Sequence, residues 1–259
     1  MIRISKLISY GLFAASTLGV SLLQSCSHAP VTGQKMPLLP QKELRDLVEQ
    51  VCRIGAKNQN VGGTAWLKAE SPEVSGQFQG IIATKRGMNG ATHELTLEVL
   101  NPLGGTEVKV EIRDNQYLIS QVRKKKGQEG FKEQGNENWS GIPLRWAAQI
   151  FLGEIPCPKS KKYVVRQGES LSDEAEKVII VQDENGDLFQ FSVEKLKTGY
   201  FPKVLKLTSE KTEVEFHFDD PTEKTLEPQK WEAISKKGRV KLKWKERKVS
   251  LERESTPKV

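Results

Sequence analysis

The side chain with the most explicit chemistry in this sequence is the thiol of Cys26. Ahead of it stand Arg3 and Lys6, an apolar run from Leu7 to Leu23, and the box Leu23-Gln24-Ser25-Cys26. A positive start, an apolar middle and a small residue before the cut make a secretory pattern. A cysteine directly after the cut would become the mature amino terminus of a bacterial lipoprotein and carry its acyl chains. The competing readings are an ordinary signal with an incidental cysteine and an uncleaved membrane helix. Gly11, Ser16, Thr17, Gly19 and Ser21 interrupt the run and weaken it as a span. Residues 1–25 are therefore read as a lipoprotein signal peptide, with Cys26 as lipid anchor.

Other reactive constellations are thin. His28, His93 and His217 are the only histidines, and none has a carboxylate or cysteine at ligand spacing. No phosphate loop, paired zinc cysteines or nucleophile elbow is present. Nothing in the sequence points to an enzyme, a cofactor or a metal.

The lipid would determine the compartment. Each buried methylene contributes about 0.8 kcal/mol, so several chains hold a protein on a bilayer almost permanently. Ser27 follows the cysteine where Asp would favour the inner membrane, which points to the periplasmic face of the outer membrane. Residues 26–40 carry Pro30, Gly33, Pro37 and Pro40 with little apolar periodicity, and read as a flexible tether. The net charge of +7 suits acidic surfaces, while export argues against nucleic acid. Two further cysteines, Cys52 and Cys157, are permitted to pair in the periplasm or to stay as separate buried thiols.

The elements that would position these residues change period along the chain. Leu44, Leu47, Val48, Val51 and Cys52 repeat at helical spacing between Gln41 and Ala56. The period then becomes two: Val74 to Ile82, Leu95 to Val99 and Val108 to Ile112 alternate apolar with polar residues, as half-buried antiparallel strands do. A short strand is expected near Tyr117 to Val122. The segment Ile142 to Leu152 is helical, opened by Pro143 and ended by Gly153. Strands resume at Tyr163, Val178 and Leu188, the last two joined by a turn at Asn185-Gly186. Val204 to Leu207 and Val214 to Phe218 follow. The pattern predicts a curved sheet or barrel capped by helices.

Between two of these strands lies Asn101-Pro102-Leu103-Gly104. Proline second and glycine fourth suit a type I turn, whereas a leucine at the tip serves no turn requirement. By spacing alone, Leu103 either folds back on its neighbours or is simply exposed.

Two segments change that weighting. Residues 95–108, Leu-Thr-Leu-Glu-Val-Leu-Asn-Pro-Leu-Gly-Gly-Thr-Glu-Val, resemble the LolB family of outer-membrane lipoproteins. So do residues 140–156, with a Pro-Leu opening and a Leu-Gly ending, and, more loosely, residues 201–218. The resemblance implies a mainly β fold, an unclosed antiparallel half-barrel with capping helices enclosing an apolar cavity. It also implies a receptor that takes lipoproteins from a periplasmic carrier of the LolA type and inserts them into the outer membrane. Leu103 matches the family's protruding insertion leucine, within a loop of Asn101, Pro102 and Gly104. The expected domain covers residues 41–220.

Phe78, Ile82, Leu97, Val99, Val110, Ile112 and Phe151 are the candidate lining of the acyl-chain cavity; a filled core is the alternative for each. Residues 221–259 form a basic extension in which Val240, Leu242 and Trp244 alternate with Lys241, Lys243 and Lys245. That stretch is a strand added to the sheet or a peripheral contact for anionic groups. Rival functions are a structural subunit of an outer-membrane assembly machine and a lipid or lipopolysaccharide carrier using the same cavity.

Overall fold

The computed structural model of the protein describes residues 38–71, 75–88, 93–122, 132–136, 138–139, 141–160, 162–169 and 177–251. The signal peptide, Cys26 and most of the tether lie outside them. Among the described residues no helix is long and apolar enough to cross a membrane.

Helix α1 (Gln41–Cys52) buries Leu44, Leu47, Val48 and Val51, the one-face set its spacing predicts. It ends at Cys52, before the expected Ala56. An antiparallel meander follows: β1 (Asn58–Glu70), β2 (Ser75–Lys85), β3 (Glu94–Leu100), β4 (Thr106–Arg113), β5 (Gln116–Gln121) and β6 (Lys132–Asn136). The two-residue strands β7 (Asn138–Trp139) and β8 (Ile142–Pro143) pair with each other and lead into helix α2 (Leu144–Leu152). A second meander then runs through β9 (Tyr163–Gln167), β10 (Lys177–Asp183), β11 (Leu188–Leu196), β12 (Gly199–Thr208), β13 (Glu213–Pro221), β14 (Pro228–Ser235) and β15 (Gly238–Leu251).

The two meanders become one sheet because β15 pairs with β1. The order is β6-β5-β4-β3-β2-β1-β15-β14-β13-β12-β11-β10-β9, thirteen strands with β6 and β9 as its edges. The sheet is therefore unclosed, as expected. Residues 221–251 do not form an extension beyond a domain ending at 220: β14 and β15 occupy the middle of the sheet. The basic alternation of β15 proves to be a central strand, with Leu242 and Trp244 buried and Lys243 and Lys245 outward.

One face of this sheet carries the core. Helix α1 lies over β9 and β12, and α2 over β1, β2 and β3. The rings of α2 also reach the other meander: Phe151 meets Trp231 edge-on at 5.1 Å, and Trp146 meets Phe189 at 6.4 Å. The sheet thus wraps the helix. Seven of its nine residues are buried, including Trp146, Ile150 and Leu152 off the expected face, so α2 is apolar nearly all round. Its last turn closes on Gly153, left-handed at φ 89°. A Cβ on Gly55 would run into the Gly153 carbonyl oxygen, so glycine at 55 permits this contact.

Cys52 and Cys157 are bonded, with alpha carbons 5.9 Å apart. The bridge ties the end of α1 to the segment that follows α2.

Candidate functional site

The loop between β3 and β4 is built by Asn101. Its side-chain oxygen accepts hydrogen bonds from the Leu103 and Gly105 amides at 3.0 and 3.1 Å. Its backbone carbonyl accepts from Gly104 at 2.9 Å, and its amide donates to Gly105 at 2.9 Å. Gly104 takes φ 81°, where a side chain is strained. Pro102 and Gly104 thus serve the turn as their positions predict. Leu103 is 89% exposed at the tip.

A second hairpin shows what this turn requires. Between β10 and β11 the side chain of Asp183 accepts from the Asn185 and Asp187 amides, and its carbonyl accepts from Gly186, whose φ is 83°. The bonding pattern matches position for position, with Asn185 where the first loop has Leu103. The geometry is satisfied by a polar tip, so the leucine has no structural task there.

The seven candidate lining residues share the core face of β2, β3 and β4 or lie on α2. Leu97 stands directly opposite Ile82 and Val110, and Leu95 opposite Ile112. Ile82, Leu97, Val110, Ile112 and Phe151 are buried within one continuous cluster with both helices. The expected enclosed hollow is occupied here: these side chains are core, because an α2 apolar on all sides fills the space they surround. Val99 is half-buried against the cluster, and Phe78 half-buried at its margin. Phe78, Val99, Val108 and Ile119 together leave the core face partly uncovered toward the Leu103 end of the sheet.

Polar groups that sequence reasoning missed gather at the opposite end, under the last turn of α2. Asn58 donates to the Leu152 carbonyl at 2.9 Å and to Glu227 at 3.1 Å. Glu227 pairs with Arg247, whose guanidinium also reaches Leu152 at 3.5 Å. One residue past the helix cap, Glu154 pairs with Arg86, and His93 lies 3.3 Å away. His93 and Glu154 stand 61 residues apart, a separation that leaves no local signal of their meeting. Among the described residues no group of three His, Cys, Asp or Glu side chains is placed to hold a metal.

An open hollow of about 630 Å³ lies on the sheet at β1, β12, β13, β14 and β15, lined by Trp66, Lys68, Lys230, Lys241 and Lys243 among others.

These features define a class: a large unclosed antiparallel sheet wrapped round an apolar helix. No family model matches the chain, and no curated protein matches it. Solved structures do. A DUF1329 family protein from Desulfovibrio piger has 9% identity and a TM-score of 0.50, covering 82% of this chain and 93% of that one. A LolA superfamily protein from Nitrosomonas europaea has 9% identity and a TM-score of 0.48, over 81% and 94%. A putative outer membrane lipoprotein-sorting protein domain from Vibrio parahaemolyticus has 8% identity and a TM-score of 0.47, over 82% and 95%. At such identities the likeness is one of fold, distant and without function attached.

Proposed function

We propose that this protein is an outer-membrane lipoprotein of LolB type, which accepts lipoproteins from a LolA-type periplasmic carrier and inserts them into the outer membrane. The observation that carries the reading is Leu103, an 89% exposed leucine on a turn that needs none. The resemblance at residues 95–108 and 140–156 and a fold shared with the Desulfovibrio piger protein support it.

In this reading Cys26 is the anchor and Leu103 enters the bilayer first. Acyl chains cost tens of kcal/mol to expose in water, at about 0.8 kcal/mol per methylene, so they travel in an apolar enclosure. The closed core becomes that enclosure when α2 shifts and its place against Ile82, Leu97, Val110 and Ile112 is taken by the chains. Phe78 and Val99 form the entry, since they lie half-covered on the Leu103 side. Transfer needs no nucleotide, only rising affinity from carrier to receptor to bilayer.

Depletion tests the reading directly. Other lipoproteins should accumulate in the periplasm bound to their carrier. Normal outer-membrane lipoprotein levels after depletion would overturn it.

A further inference from the structure

The hollow on the outer sheet face is separate from the acyl-chain path, and its charge pattern is unusual for a sheet. Lys230 on β14 stands directly opposite Lys243 on β15, and Lys241 on β15 directly opposite Lys68 on β1. Like charges at directly opposite positions destabilise a sheet. Two such pairs lie side by side in the lining of one hollow.

Their neighbours compensate incompletely. Lys230 reaches Asp219 at 2.8 Å, Lys241 reaches Glu232 at 3.1 Å, and Lys68 reaches Glu70. Lys243 makes no ion pair among the described residues. Across from it on β1 stands Trp66, 41% exposed at the end of the hollow, with Lys245 over its ring at 5.3 Å. Lys68, Lys203, Lys230, Lys241 and Lys243 line the space against Asp219 and Glu232, while Glu70 and Glu194 pair with Lys68 and Lys203 from outside it.

We infer that this groove binds a phosphate-bearing ligand. Lysine ammonium groups are compact point charges that hold phosphate without the planar fork a carboxylate prefers. A bound phosphate between Lys230 and Lys243 removes their repulsion, and the Trp66 indole offers an apolar face to the adjoining part of the ligand. The volume of about 630 Å³ lies in the range of small-molecule sites and is enough for a lipid headgroup. Occupancy requires no movement of α2, so this inference stands apart from the delivery role.

The test is a titration of the purified full chain, followed by the indole N–H resonance of Trp66, assigned by loss of that signal in Trp66→Phe. The probes are inorganic phosphate, dihexanoyl phosphatidylglycerol and dihexanoyl phosphatidylcholine, the lipids below their micellar concentration. Saturable binding of phosphatidylglycerol, at least tenfold tighter than of phosphatidylcholine, is expected and identifies a lipid headgroup. Saturable binding of inorganic phosphate alone supports the phosphate site and assigns it to a soluble source. Lys230→Gln with Lys243→Gln should weaken binding at least tenfold while changing Tm little, since the repulsion it removes offsets the exposed Lys230–Asp219 pair it loses. Lys195→Gln with Lys197→Gln is the charge-matched control and should change nothing. Absence of saturable binding by inorganic phosphate and phosphatidylglycerol alike, binding of phosphatidylglycerol no tighter than of phosphatidylcholine, whose choline offsets its phosphate charge, or equal weakening in the control overturns the inference.

Discussion

Glu227 and Arg247 form an ion pair whose side chains are each 5% exposed, held beneath the last carbonyl of α2. The pair joins the turn before β14 to β15 at the place where α2 ends. A cation at the carboxyl end of a helix is favourable, and Arg247 supplies one where the helix has no basic residue in its last turn. Asn58 completes the arrangement by bonding both Glu227 and Leu152.

Breaking this pair from one side leaves a buried charge uncompensated. Arg247→Met should destabilise the protein by about 3–5 kcal/mol, and the double change Arg247→Met with Glu227→Leu should recover most of the loss. Urea denaturation of the native protein, Arg247→Met, Glu227→Leu and the double variant measures both. Additive losses in the double variant would contradict the coupling.

Leu103→Asn copies the tip of the Asp183–Asp187 hairpin. Stability should change by less than about 0.5 kcal/mol, because the residue touches no structural partner. Insertion of lipoproteins into vesicles should fall sharply, and more so for Leu103→Glu, whose charge resists the bilayer. Full transfer activity in Leu103→Glu would remove the residue from the mechanism.

The bond between Cys52 and Cys157 spans 105 residues of sequence. Replacing both with alanine should cost about 2–4 kcal/mol, mainly by freeing the unfolded chain. Unfolding free energies from urea denaturation with and without reductant should differ by a similar amount in the native protein and not at all in the double variant.

Phe151 sits at the centre of the closed core against Trp231, so Phe151→Ala should cost about 3–5 kcal/mol and open a void. An apolar fluorescent probe should bind this variant more tightly than the native protein. Equal probe binding would count against an acyl site at this position.

Asp219 is held below the usual carboxylate range, chiefly by the hydrogen bond from Lys230 and then by the Asp220 amide. Lys230 is correspondingly raised, first by its hydrogen bond to Asp219. The carboxylate's contribution to stability is complete above the ordinary Asp range and is lost as pH falls through its depressed value. The lysine's contribution is complete below the ordinary Lys range and is lost as pH rises through its raised value. Both side chains are about half exposed, at 50% and 54%, so the pair contributes less than about 1 kcal/mol. In Lys230→Gln the Asp219 carboxyl should titrate at higher pH by NMR; an unmoved titration would refute the assignment of cause.

Much of this fold is written locally. Alternation in β3, β4 and β13 and the helical spacing of α1 need only near neighbours, since the backbone prefers the conformation that puts all apolar side chains on one side. The Asn101 loop is likewise carried by residues within five positions of one another. The sequence pattern does not mark strand β1, because Gly62 and Gly63 interrupt its alternation and its pairing with β15 shifts register between Thr64 and Ala65. The insertion of β15 beside β1 and the meeting of Glu227 with Asn58 bring together residues 169 or more apart. Which strands meet over such distances depends on which edges remain unpaired once the local hairpins form, and no local pattern records that. Whether the apolar concave face would stand open or filled was also a tertiary matter: the same side chains serve either state, and packing of an all-round apolar α2 against them decides it.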